Sequence, residues 1–212
     1  MSAIYLVRHG ETAFNRDGKG LGRSDIPLTG LGERQAEAVG GAFSGVPVAR
    51  IYSSPLARAL RVAEAVARVV GIPVEAREEL TEMDVGETEG LDFAHMRTRF
   101  PEFIRRWTGP DAAGTALPGG ESLRDVAGRL ATLAAELRDP GGGDVVVVSH
   151  NFVIKVLLCT LLDVPLENFR AFQVDLASIS EVSVRTGRVS VRRLNDVCHL
   201  DALNLVPAAR SV

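Results

Sequence analysis

The chain holds only two cysteines in 212 residues, Cys159 and Cys198. Set in apolar surroundings, they are expected to pack rather than react, and nothing suggests an oxidised scaffold. No apolar run approaches the ~20 residues of a membrane span. A strand begins by Ala3, which leaves no room for a secretory leader. Charge of one sign is scarce too. Basic residues number 24 and acidic ones 27, a net of −3 that argues against a broad nucleic-acid footprint but permits a local basic pocket. The four histidines, His9, His95, His150 and His199, show no zinc-type spacing with each other or with the cysteines, so no metal or other cofactor is expected. Repeats and linkers are lacking. With 46% of residues hydrophobic and 24% charged, the chain suits one cytoplasmic domain with a well-developed core, a monomer or homodimer without nucleic-acid or membrane partners.

What is present starts with Ile4-Tyr5-Leu6-Val7, a short run that reads as a buried parallel strand. It breaks into Arg8-His9-Gly10, which a strand ending inside a core has no packing reason to hold. In open α/β sheets, ligands gather at the carboxyl ends of strands. An arginine there offers a planar fork for phosphate or carboxylate, and the histidine is a neutral nucleophile near pH 7. On these residues alone, an ordinary basic surface loop is the alternative.

The loop 16–29 follows, where Gly18, Gly20 and Gly22 are spaced too closely for a dinucleotide fingerprint. Thr29 caps a helix running to about Phe43, with Leu31, Ala38, Val39 and Ala42 inward. Arg50 to Ser53 is a second strand, ending in Ser54-Pro55 as a cap with proline at the first helical position. The helix behind carries Leu56, Leu60, Ala63, Ala67 and Val70 on one stripe and stops at Gly71. Ile72 to Val74 is a third strand. Leu91 to about Trp107 forms one or two helices with apolar and basic residues mixed around the circumference, a pattern that suits a cap over a site. Ser122 and Asp125 form a capping box for a helix with Val126, Leu130, Leu133 and Leu137 inward. Val145 to Val148 is a strand buried on both faces, ending in Ser149-His150-Asn151, and the helix after it is apolar nearly all round. Ile179 to Val184 and Val189 to Leu194 make a closing hairpin through Thr186-Gly187. The expected fold is therefore α/β: a mostly parallel central sheet with helices on both faces, a three-layer α/β/α domain over residues 1–212 with a small helical cap inserted at about 91–120.

Three strand-end loops then carry Arg8-His9, Arg58 and His150. Arg58 falls in the first turn of its helix, where a cation costs helix stability unless an anion docks on the exposed N–H groups. A serine-hydrolase pair at Ser149-His150 is excluded because adjacent strand residues point to opposite faces.

Arg8-His9-Gly10-Glu11-Thr12 with Asn15 resembles the phosphohistidine signature of the histidine phosphatase superfamily, in its phosphoglycerate mutase-like branch 1. The resemblance extends through Gly22-Arg23-Ser24-Asp25, Ser53-Ser54-Pro55-Leu56-Ala57-Arg58, Leu80-Thr81-Glu82, Pro118-Gly119-Gly120-Glu121-Ser122 and Val148-Ser149-His150. It implies His9 as nucleophile, Arg8, Asn15, Arg58 and His150 as phosphate ligands, and Glu82 as proton donor. Leu21, Gly22 and Asn151 complete the implied substrate-binding set. Thr88 departs from the pattern, since many relatives carry an aromatic residue there, which affects packing beside Glu82. On physical grounds Glu78, Glu79, Asp84, Glu87 and Glu89 compete with Glu82, and only the family register selects it. The chemistry agrees with the resemblance: cations and N–H donors hold a phosphate dianion, a histidine takes the phosphoryl group, and a carboxyl protonates the leaving alkoxide.

The expectation is thus a phosphoric monoester hydrolase of the histidine acid-phosphatase type, acting on a small phosphorylated metabolite. A 2,3-bisphosphoglycerate-dependent phosphoglycerate mutase is the alternative, and a non-catalytic phosphate-binding module on the same fold the third. A short insertion and a brief tail after Leu194 favour hydrolysis over transfer. Arg97, Arg99, Arg105 and Arg106 of the cap stand as candidates for a second anionic group.

Overall fold

The computed structural model describes residues 2–186, 188–201 and 203–205. The elements run β1 (Ser2–Arg8), α1 (Ala13–Arg16), α2 (Gly30–Ala42), β2 (Val48–Ser53), α3 (Ala57–Val70), β3 (Val74–Ala76), α4 (Phe93–Arg99), α5 (Pro101–Trp107), α6 (Leu123–Arg138), β4 (Asp144–Ser149), α7 (Asn151–Leu161), β5 (Ile179–Arg185), β6 (Arg188–Asp196) and α8 (Cys198–Asp201). The strands form one six-stranded sheet in the order β3-β2-β4-β1-β5-β6. The first four in that order pair in parallel, and β5 and β6 close the sheet antiparallel. The mostly parallel α/β architecture expected from the sequence is the one observed.

Alternation along the strands divides the core in two. Ile4, Leu6, Val145 and Val147 pack with Leu123, Leu130, Leu133 and Leu137 of α6 and with the apolar shell of α7. Tyr5, Val7, Val146 and Val148 face the other way, onto α2 and α3. The parallel register sets Arg8 beside Ser149 and Ser53 beside Val148, so three strands release their chains at one edge.

Local sequence explains most element ends. Thr29 caps α2 by accepting from the Gly32 N–H, and Ser122 and Asp125 make their capping box on α6. Gly71 ends α3 in the left-handed region at φ 74°. Some expectations shift. The third strand lies at Val74–Ala76, and the Ser54-Pro55 cap does not form: α3 starts at Ala57, whose N–H is met at 2.7 Å by Asp25 Oδ1. The inward stripe of α3 is Arg58, Ala59, Val62, Ala63, Ala65 and Val66, because a buried arginine belongs to it. Ala42 is exposed, as is Cys198 at the start of α8, whereas Cys159 is buried. The closing hairpin is present as β5 and β6; Thr186 stands in its turn, and Gly187 lies outside the described residues.

Packing of α2 on the signature loop is backbone to backbone. A Cβ on Gly32 would lie 2.2 Å from the Glu11 carbonyl oxygen, and one on Gly10 would lie 2.7 Å from the Gly32 carbonyl oxygen. Gly32→Ala is therefore expected to lower the melting temperature, losing about 1–3 kcal/mol to overpacking. Gly128→Ala, in α6 with nothing within 4 Å of its new methyl, should raise it slightly through helix propensity. Thermal melts followed by circular dichroism check the pair, and shifts of the same sign would contradict this packing.

Candidate active site

The three strand ends bring Arg8, His9, Arg58 and His150 together, and the segment after β3 adds Glu82 beside Arg58 and Arg8. His9 and Glu82 are 3% exposed, and Arg58 and His150 are 0% exposed. His9 Nδ1 lies 2.7 Å from the Gly10 carbonyl oxygen, which fixes its hydrogen on Nδ1 and leaves the Nε2 lone pair bare. Burial, then the charges of Arg58 and Arg8, hold the His9 pKa well below the ordinary imidazole value, so the ring is neutral at pH 7. The His150 ring stands 5.1 Å away, centroid to centroid, and its pKa is lowered in the same way, by burial first and then by Arg58.

The cations are anchored by backbone carbonyls. Arg58 donates to the oxygens of Ser24 at 2.7 Å and Gly22 at 2.6 Å, and Arg8 donates to Val174 O at 2.6 Å. Burial pushes the Arg8 pKa down to about 10, which still leaves it charged at neutral pH. Arg8 Nε, Arg58 Nε and His150 Nδ1 are buried without a hydrogen-bond partner. Unpaired buried polar groups are costly, and two guanidinium groups beside a histidine are the chemistry by which a multidentate anion is held.

Glu82 supplies the only strongly desolvated carboxyl of the acidic stretch. Its oxygens accept from Met83 N–H at 2.8 Å and Phe152 N–H at 3.3 Å. Burial nevertheless raises its pKa, against those two bonds and the charges of Arg58 and Arg8. Its competitors are engaged elsewhere. Glu79 pairs with Arg77, Glu87 with Arg99, Asp84 accepts from Gly86 N–H, and Glu89 accepts from Gly22 N–H, while Glu78 is exposed.

The model of the histidine phosphatase superfamily (branch 1) matches residues 4–197, a span that contains every one of these side chains. The chain belongs to this superfamily. Among similar proteins is the "Probable phosphoglycerate mutase GpmB" of Salmonella choleraesuis, 35% identical over 209 residues, 95% of this chain and 96% of that one. Two solved structures share the fold. A mycobacterial glucosyl-3-phosphoglycerate phosphatase aligns with a TM-score of 0.83 and 30% identity over 92% of this chain and 98% of its own. The alpha-ribazole phosphatase of Shigella flexneri aligns with a TM-score of 0.81 and 28% identity over 92% and 96%.

The remaining expected residues have the following places. Gly22 is buried and held between Arg58 and Glu89, with the half-buried Leu21 beside it. Asn151 is half-buried and opens α7 directly after His150. Asn15 closes a capping box on α1, its Oδ1 accepting from the Thr12 N–H and hydroxyl. Thr88 is buried, its hydroxyl donating to Val85 O. The sequence reading missed Ser54 as a partner of His150, at 2.7 Å from Nε2, because Ser-Pro before a helix reads as a cap. It also missed Gln35, which is buried and accepts from the Glu11 N–H while donating to Leu205 O. Neither long-range pairing carries a local signal, since His150 and Leu205 lie far away in the chain.

Arg58→Ala should weaken binding of inorganic phosphate by roughly 2–5 kcal/mol, the cost of truncating a buried charged donor. Arg58→Lys should recover only part, because an ammonium cannot reach two carbonyls and an anion with a planar fork. Titration calorimetry of the two variants checks this, and wild-type affinity in both would place Arg58 outside the anion pocket.

Proposed function

We propose that this histidine phosphatase is a phosphomonoesterase that acts on a small phosphorylated metabolite through a phosphohistidine. The observation that carries the reading is a neutral His9 with its Nδ1 hydrogen committed to Gly10 and its Nε2 free to attack, set beside the buried Arg58 and the half-buried Arg8. The phosphate dianion sits on Arg8, Arg58, His150 and Asn15, with Leu21, Gly22 and Asn151 around it. His9 Nε2 forms a bond to phosphorus as the ester P–O bond breaks. Glu82, whose pKa burial raises, gives its proton to the leaving alkoxide. Water then attacks the phosphoenzyme, its proton returns to Glu82, the P–N bond breaks, and phosphate departs.

Hydrolysis is favoured over transfer by the slightness of the cover. In α4 and α5, seven residues each, no residue is fully buried. A mutase must keep water from the phosphoenzyme, and two thin helices do so poorly. The phosphatases among the similar structures support the same reading. Likeness to a protein named as a probable phosphoglycerate mutase favours the second reading, transfer between hydroxyls of a phosphorylated acid. In our reading residues 1–212 work as one domain, segment 91–120 is its cap, and the protein acts in the cytoplasm as a monomer or homodimer; two free thiols accord with a reducing compartment.

Incubation with 3-phosphoglycerate and catalytic 2,3-bisphosphoglycerate, followed by phosphorus NMR, separates the two readings. We expect phosphate to be released without isomerisation. Conversion to 2-phosphoglycerate faster than phosphate release would replace the phosphatase by the mutase.

A further inference from the structure

α7 is packed on nearly every side, and Lys155 is its one charged residue, a helical turn beyond Asn151. The Lys155 ammonium lies 5.9 Å from the centroid of the Phe169 ring, and the Arg170 guanidinium stands 4.3 Å from the same centroid. Arg170 also stacks on Trp107 at 5.6 Å and donates to its carbonyl oxygen at 2.7 Å. Phe169 packs in turn on Phe152, whose N–H is the one that reaches Glu82. Two cations are thus fixed around a single aromatic ring, one residue removed from the carboxyl on the leaving-group side of the pocket.

Among the described residues, neither cation makes an ion pair. The acidic groups facing Lys155 are Glu82 and Asp175, and the basic ones are Arg8 and Arg170. Both acids are otherwise engaged: Glu82 by two backbone N–H groups, Asp175 by Gln173 and Asn195. Lys155 is repelled by Arg8 and by Arg170 more strongly than either Glu82 or Asp175 attracts it. The cap arginines suit a second anion less well. Arg99 pairs with Glu87, and Arg105 pairs with Glu102.

We infer that Lys155 and Arg170 form a second anion subsite, which reads a carboxylate or a second phosphate on the alcohol portion of the substrate. The inference rests on the phosphomonoesterase reading, which puts the reacting phosphate on Arg8 and Arg58 and the alcohol on the Glu82 side. The preferred ester then carries two separated negative groups, and the partly buried Phe152 and Trp107 flank the carbon chain between them.

Phosphonates are not hydrolysed, so they test the subsite whatever the enzyme turns over. Calorimetry should show phosphonobutyrate binding at least ~10-fold tighter than butylphosphonate, which lacks the carboxylate. Butane bisphosphonate, run beside them, ranks phosphate against carboxylate as the preferred second group. Lys155→Met and Arg170→Met should each reduce the preference for the doubly charged ligand about ten-fold, and Lys155→Arg should keep it. A wild-type protein without the preference, or a preference that survives both methionine variants, overturns the subsite. Failure of the phosphatase reading is seen separately, as no phosphate release from any ester.

Discussion

The hydrogen bond from His9 Nδ1 to the Gly10 carbonyl is the interaction on which the rest of the site depends. It selects the tautomer, and the tautomer decides whether Nε2 is a nucleophile or a donor. Burial of the ring between Arg8 and Arg58 reinforces the choice by opposing protonation. A solvated histidine would be partly protonated near pH 6.5 and its tautomer unfixed. Neutrality and orientation therefore come from the same enclosure.

The backbone around His9 is braced from behind. Its carbonyl accepts from the Ala177 N–H at 2.9 Å, and the Ala177 carbonyl faces His199 Nε2 at 2.9 Å. Ala177 holds φ 58°, an uncommon conformation for a residue with a side chain. On the other flank Gln35 ties the Glu11 N–H to the Leu205 carbonyl, while Gly10 and Gly32 let α2 press directly on the loop. The segment around α8 thus supports the signature loop across the sheet edge, far from it in sequence. Such support holds reacting groups to the small tolerances that positioned chemistry demands.

Legibility from the sequence followed locality. Val145 to Val148 announced a doubly buried strand, and Arg8-His9 at the end of an apolar run announced a site, because both signals lie within a few residues. The capping box of Ser122 and Asp125 was readable for the same reason. The stripe of α3 was misplaced because hydrophobic periodicity counts Arg58 as outward, whereas it is wholly buried and held by Gly22 and Ser24. Ser54 showed the cap signal, and its hydroxyl both accepts from the Leu56 N–H and meets His150. Glu82 could not be told from its acidic neighbours by pattern, since its distinction is burial, a tertiary property. Lys155 carried no signal, because one lysine on an apolar helix reads as a side chain reaching for water.

The proposed chemistry passes through a covalent bond between phosphorus and His9. The most direct test is a rapid alkaline quench of wild type with a labelled phosphomonoester, followed by mass spectrometry of the peptide containing residues 8–16. A phosphoramidate on His9, labile to acid and stable to base, is the predicted result, and His9→Ala should show neither adduct nor turnover above a few per cent. Substantial phosphate release by His9→Ala, or an adduct on another residue, would contradict it.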